Sequence, residues 1–146
     1  MSEDEKWMNV ALKQAIKAQN EGEVPVGAVL VKDGKLITKS HNKPISKNDA
    51  TAHAEIEVIR SAGKKFKNYR LNETTIYVTL EPCIMCFGAM IHARVGRIVY
   101  GANDSKINHH EDFRNSDYIR NQINITGGVL QAECSEILQK FFKTRR

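Results

Sequence analysis

"TTIYVTLEPCIMCFGAMIHARVGRIVYG", Thr74 to Gly101, decides the fold. Thr74–Leu80 is β-branched and aromatic, the composition of a strand. Pro82 suits the first turn of a helix, because it lacks the N–H that would go unpaired there. That helix continues to about Ala93, and "RIVYG" (Arg97–Gly101) gives a second strand. Strand, helix and strand over so short a span predict a parallel pair with a right-handed crossover.

Upstream, Trp7, Met8, Ala11, Leu12, Ala15 and Ile16 recur at intervals of three and four and form one apolar stripe, which predicts a helix from about Asp4 to Asn20. Gly22 is placed to end it. "VPVGAVLV" (Val24–Val31) reads as a strand, Asp33-Gly34 as a tight hairpin turn and "KLITKSH" as the returning strand. A polar stretch with Pro44 leads to Ala50. Thr51–Ala62 reads as a second helix, with Thr51 as N-cap and Gly63 as terminator. Downstream, Ala102–Tyr118 is polar and carries no assignable pattern, and "INI" (Ile123–Ile125) reads as a short fifth strand. The last helix carries Val129, Leu130, Cys134, Ile137, Leu138, Phe141 and Phe142 on one face. Helices alternating with strands predict a three-layer α/β/α arrangement with helices on both sheet faces.

The chain has 146 residues, 41% apolar and 27% charged, the make-up of one globular domain over residues 1–146 that can bury a core without disulfide help. Three cysteines are too few, and odd in number, for a secreted disulfide scaffold. "MSEDEKWMN" is acidic and has no apolar run, so a signal peptide is not expected. No stretch has the apolar length that crosses a bilayer, and a reducing cytoplasm is the expected location. The net charge of +5 is compatible with a polyanionic partner without specifying one. "GKKFKNYR" (Gly63–Arg70) and the terminal "KFFKTRR" interleave basic and aromatic residues, which suits phosphate contacts and base stacking. Charge alone is equally met by a solvated loop and a favourable helix end.

Cys83 and Cys86 sit at i and i+3 where the third helix starts, on one face. There the helix dipole and unpaired N–H groups stabilise thiolates. A redox pair and a metal site both fit that position. "TAHAEIEVIR" separates them, because it sets His53 and Glu55 at the start of the preceding helix. One imidazole and two thiolates make three protein ligands for zinc and leave the fourth tetrahedral position to water, which marks a catalytic site. Glu55 need not ligate and is suited to proton transfer. Cys134 falls on the apolar stripe of the last helix and reads as core. His92 lies at the far end of its helix, and His109–His110 is a weaker alternative ligand pair. His-Ala-Glu followed by Pro-Cys-x-x-Cys is the signature of the zinc deaminases.

On these motifs, and on "EVPVGAVLV", "HN" with Pro44, "NYRL", "YVTLEPCIMCFGAMIHARVGRIVYGA", "TGGVL" and "FFKTRR", the sequence resembles the cytidine-deaminase superfamily. Within it, the sequence is similar to the bacterial tRNA-specific adenosine deaminases. The resemblance implies a cytidine-deaminase-like α/β/α fold on a mixed five-stranded sheet, one Zn²⁺ per subunit and a homodimer. It implies hydrolytic deamination of adenosine to inosine at the wobble position (34) of a tRNA anticodon arm. The base is unstacked into the pocket, zinc-activated water attacks C6, and Glu55 shuttles the proton. Backbone N–H groups around Ala54 and the Cys83 turn would meet developing negative charge. Asn42 would read the flipped purine, although a turn asparagine is common in a stretch such as "HNKP". Val26 and Pro82 would line the base pocket, and Asp104 and Lys106 would meet neighbouring anticodon nucleotides. Phe142, Arg145 and Arg146 match the tail that packs beside the RNA, and Phe142 equally extends the last helix's apolar stripe. The segment "INHHEDFRNSDYIRNQINIT" departs from the relatives, lacking their Gly/Ser-rich turn and "NHR".

Two other readings compete. One keeps the enzyme but gives it a free base or nucleoside, guanine or cytosine, which the basic tail disfavours. The other is a zinc-stabilised RNA-binding module without activity, in which Glu55 would have no use.

Overall fold

A computed structural model describes residues 1–104 and 116–145. The elements run α1 (Glu3–Asn20), β1 (Gly27–Lys32), β2 (Lys35–His41), α2 (Pro44–Lys47), α3 (Ala54–Phe66), β3 (Thr74–Leu80), α4 (Ile84–His92), β4 (Arg97–Ala102), α5 (Asp117–Gln122), β5 (Asn124–Thr126) and α6 (Gln131–Thr144). The strands form one mixed sheet of order β2-β1-β3-β4-β5. β1 pairs antiparallel with β2 and β3, whereas β3–β4 and β4–β5 are parallel, as their helical crossovers require. α1 packs on β1 and β3 and meets α6, which lies on β4. α3 packs on β1 and β2 and meets α4. The helices thus cover both faces, and no described helix is long and apolar enough to cross a membrane.

Ser2 and Glu5 form a capping box at the start of α1, satisfying two N–H groups that the helix leaves open. Of the expected stripe, Trp7, Met8, Ala11 and Ala15 are buried and Ile16 is 48% exposed, while Ala18 is buried in addition. The helix meets the sheet through small residues because its backbone lies against β1. A Cβ on Gly27 would stand 2.0 Å from the Ala11 carbonyl oxygen. Gly27 is therefore required by close approach rather than by backbone conformation. A second close approach lies across the sheet, where Cys134 of α6 packs onto Gly101 of β4, burying the sulfur as the sequence predicts.

Several boundaries differ from expectation. α3 begins at Ala54 with His53 as N-cap. Thr51 instead turns back on Asp49, its N–H and hydroxyl both donating to Asp49 Oδ1. α3 also runs through Gly63 to Phe66 and stops at Lys67, whose φ is +52°. One glycine costs a helix only about 1 kcal/mol and does not stop it. Pro82 precedes α4 instead of occupying its first turn, since Cys83 is the N-cap. The polar stretch after β2 contains the short α2, entered through Pro44. α5 appears where no pattern was assignable, anchored by buried Ile119 and capped by Ser116, whose hydroxyl accepts from Ile119 N. α6 starts only at Gln131, leaving Val129 and Leu130 before it.

One ion pair ties β4 to α1, with β3 and β5 joined to it. The Arg97 guanidinium donates to both oxygens of Asp4 at 2.8 Å, and to Thr126 of β5 at 3.2 Å. The Tyr77 hydroxyl donates to Asp4 Oδ1 at 2.9 Å. The hydrogen bonds from Arg97 hold the Asp4 carboxyl below its ordinary value of 3.8. Its contribution to stability is therefore complete above that value and fades as the pH falls through the lowered native pKa. Asp4→Asn is expected to cost about 1–3 kcal/mol in urea denaturation at neutral pH, and to narrow the gap from the unaltered protein as the pH drops below 4.

Candidate active site

His53 and Cys83 are the N-caps of α3 and α4, both with extended backbone (φ −72°, ψ 156° and φ −70°, ψ 170°). An N-cap side chain normally accepts a hydrogen bond from the helix's first turn. Neither of these does; they turn to each other instead. His53 Nδ1 lies 3.7 Å from Cys83 Sγ and 3.4 Å from Cys86 Sγ. The three ligand atoms all fall within 4.8 Å of one another, so one metal ion can meet all three. The expected trio is brought together. His92 is exposed on the last turn of α4, and His109–His110 lies outside the described residues.

Electrostatics in this cluster follow from burial and shared protons. Cys83 is held down to about 4, chiefly by a hydrogen bond from Cys86 and further by His53. Cys86 is pushed upward by the same hydrogen bond and by burial. The hydrogen bond with Cys83 raises His53. Three ligand groups thus share their protons over a few ångströms, and a dication would displace those protons. Glu55, in the first turn of α3, is 4% exposed. Burial raises its carboxyl to about 7, outweighing the lowering effects of its own backbone N–H and of His53. It is poised to hold and release a proton near neutrality.

His53, Glu55 and Cys83 open onto a cavity of about 280 Å³ that Val26, Asn42, Asp104 and Phe142 also line. These four, expected to contact substrate, therefore share one space with the cluster. Phe142 is 43% exposed and lies at the cavity rather than in the core. Ala54 and Pro82 are buried beside the cavity rather than lining it. The Ala54 N–H is already engaged, donating to Asn42 Oδ1 at 2.8 Å. Arg145 stacks its guanidinium 4.3 Å over the Phe141 ring. Lys106 and Arg146 lie outside the described residues.

The wall also includes Val24, Pro44, Leu80 and Glu81, which sequence reasoning missed as lining residues. Each sits within two positions of a residue that was identified, but which side faces the cavity depends on how the turns close. A larger groove of about 450 Å³ between α1 and α6, holding Leu12, Ile16 and Ile137, contains none of the ligating side chains.

Comparisons with known proteins agree with this geometry. Residues 2–146 match the family model described as MafB19-like deaminase. A tRNA-specific adenosine deaminase of Haemophilus influenzae is 47% identical over 147 residues, covering 98% of this chain and 85% of the relative. One from Buchnera aphidicola subsp. Schizaphis graminum is 44% identical, covering 98% of this chain and 96% of the relative. A solved structure reported with the words "A-to-I Editing by tRNA:A34 Deaminases at the Wobble Position of Transfer RNA" is 42% identical, with a TM-score of 0.85. It covers 91% of this chain and 99% of that one.

Removing one ligand should empty the metal site without unfolding the protein. Metal analysis of purified Cys83→Ala is expected to show less than about a tenth of the metal held by the unaltered chain, whereas Cys134→Ala retains it. Equal loss in both variants would mean that the helix-start cluster is not the metal site.

Proposed function

The chain belongs to the deaminase family that includes the tRNA-specific adenosine deaminases, and from that premise we infer that it hydrolyses adenosine to inosine at the wobble position of a tRNA anticodon. One observation carries the reading. Glu55 shares a cavity with a three-ligand cluster and with Asn42, a polar side chain suited to a purine edge. The full-length identities to tRNA-specific enzymes favour this substrate over a free base.

Zinc fits the cluster. With Zn–S near 2.3 Å and Zn–N near 2.0–2.1 Å, tetrahedral ligands stand about 3.6 Å apart, and the imidazole–sulfur separations here are 3.4 and 3.7 Å. Two thiolates and an imidazole are its usual donors. When bound, zinc supplies the Lewis acidity that lets water lose a proton near neutral pH.

The chain's own residues do the remainder. Val26, Leu80 and Phe142 give the cavity apolar walls that exclude water from around the extruded base. Asn42 offers its amide N–H group to the purine while its oxygen is held by Ala54, so Ala54 acts by orienting Asn42 instead of meeting charge directly. Glu55 accepts the proton given up by water, delivers it to N1 and relays a proton to the amino group that leaves C6 as ammonia. Asp104, which lines the cavity, is the acidic side chain we assign to a neighbouring nucleotide, and the basic Arg145 suits the phosphate backbone.

A homodimer is supported by α4, which has no acidic residue, lysine or arginine. It exposes Ile84 to 50% and leaves Met85, Gly88 and Ala89 half-buried. A tRNA substrate favours a cytoplasmic location for this domain.

Incubation with an anticodon stem-loop RNA bearing a wobble adenosine should yield inosine, read by mass spectrometry. Glu55→Ala should retain fold and metal while slowing turnover by about 10²–10⁴-fold. Undiminished turnover would remove Glu55 from the mechanism. Ammonia release from guanine or cytosine, with none from the RNA, would replace the substrate.

A further inference from the structure

Glu23 lies between α1 and β1, 1% exposed, and is not among the residues that line the cavity. Its two carboxylate oxygens accept from consecutive backbone N–H groups of α2. Ile45 N donates to Oε1 at 3.1 Å, and Ser46 N donates to Oε2 at 2.8 Å. These are helix N–H groups that an N-cap would ordinarily satisfy, and the N-cap Lys43 contributes no side-chain hydrogen bond. Lys43 has φ −138° and ψ 24°, not the extended backbone of a capping residue, so the turn relies on the buried carboxylate, which costs free energy unless fully hydrogen-bonded. The arrangement found ties the α1–β1 turn to α2 across 22 and 23 residues of sequence.

What α2 carries explains why the tie matters. At four residues it is far too short to hold its own shape, so contacts from outside must hold it. Glu23 does so at its start, and at its end Lys47 Nζ donates to Glu57 at 2.8 Å. Pro44, its first residue, lines the cavity, and Asn42 lies two positions upstream. The same α1–β1 turn grips that approach twice more. Asn42 N donates to the Val26 carbonyl at 3.1 Å. Glu21 pairs with His41 Nε2 at 3.2 Å, and the other ring nitrogen of His41 lies 3.0 Å from the Asn42 carbonyl. Asn42 then accepts from Ala54, next to the ligand His53.

We propose that Glu23 is a positioning residue for Asn42, fixing through α2 the side chain that faces the base. The link to purine recognition rests on the reading of Asn42 given above; the tether itself does not. Glu23→Gln keeps size but turns one acceptor oxygen into an amide group facing a backbone N–H. Residue-resolved hydrogen exchange on the metal-loaded protein should then show the Ile45, Ser46 and Ala54 amides exchanging about tenfold faster, with Met90 in α4 unchanged. On the stem-loop RNA, Glu23→Gln should lower kcat/KM about tenfold, but less than about twofold when Asn42 is already alanine. Where Glu23→Gln does not fold, Glu23→Asp, whose shorter carboxylate reaches fewer of these N–H groups, carries the same comparisons. Unchanged exchange at Ala54, or an equal loss of kcat/KM in both Asn42 backgrounds, overturns the proposal. Faster exchange at Ala54 in a protein that never deaminates the RNA upholds the tether and rejects the substrate assignment.

Discussion

An N-cap is normally filled by a small polar side chain that pairs with the open N–H groups of its own helix. His53 and Cys83 hold that position on α3 and α4 without pairing in this way, and their side chains meet between the two helix starts with Cys86 beside them. Both helices thereby lose a local stabilisation of about 1 kcal/mol. They gain a cluster in which two positive dipole ends face two sulfurs. Glu55 shows which effect wins there, since the dipole would depress a first-turn carboxyl while burial lifts this one to about 7.

The sheet makes that meeting possible. β3 delivers the chain to Cys83 through the parallel crossover, and β2 delivers it to the α2 region and then to His53. The hairpin and the crossover belong to one sheet because β1 pairs with both β2 and β3. β1 in turn is held down by α1, whose backbone comes so close that only glycine fits at position 27. Arg97 and Asp4 clamp the far edge of the same layer. The opposite layer, α3 and α4, is left to carry the chemistry.

Much of this was legible in the sequence, for identifiable reasons. The β3–α4–β4 run carries a strand composition, a proline that favours a helix start and a second strand, so its parallel pairing follows from connectivity alone. His53, Glu55, Cys83 and Cys86 were legible because metal chemistry restricts both residue type and spacing. Less of the site's lining was legible. Thr51 looks like a cap but is used by Asp49, and Gly63 looks like a stop but is absorbed into the helix. Both are decided by neighbours that local patterns do not contain. Phe141 and Phe142 both fit the core stripe by period, yet only Phe141 is buried and Phe142 lines the cavity. Glu23 and Asp4 carry no local signal at all, since their partners lie more than twenty residues away.

The account depends most on three protein ligands, and no fourth, gathering at the two helix starts. X-ray absorption spectroscopy at the zinc edge of the loaded protein measures that directly. The predicted first shell has two sulfurs at about 2.3 Å and two lighter scatterers at about 2.0–2.1 Å, one of them with the outer-shell pattern of an imidazole. A shell of three or four sulfurs, or one without sulfur, would contradict it.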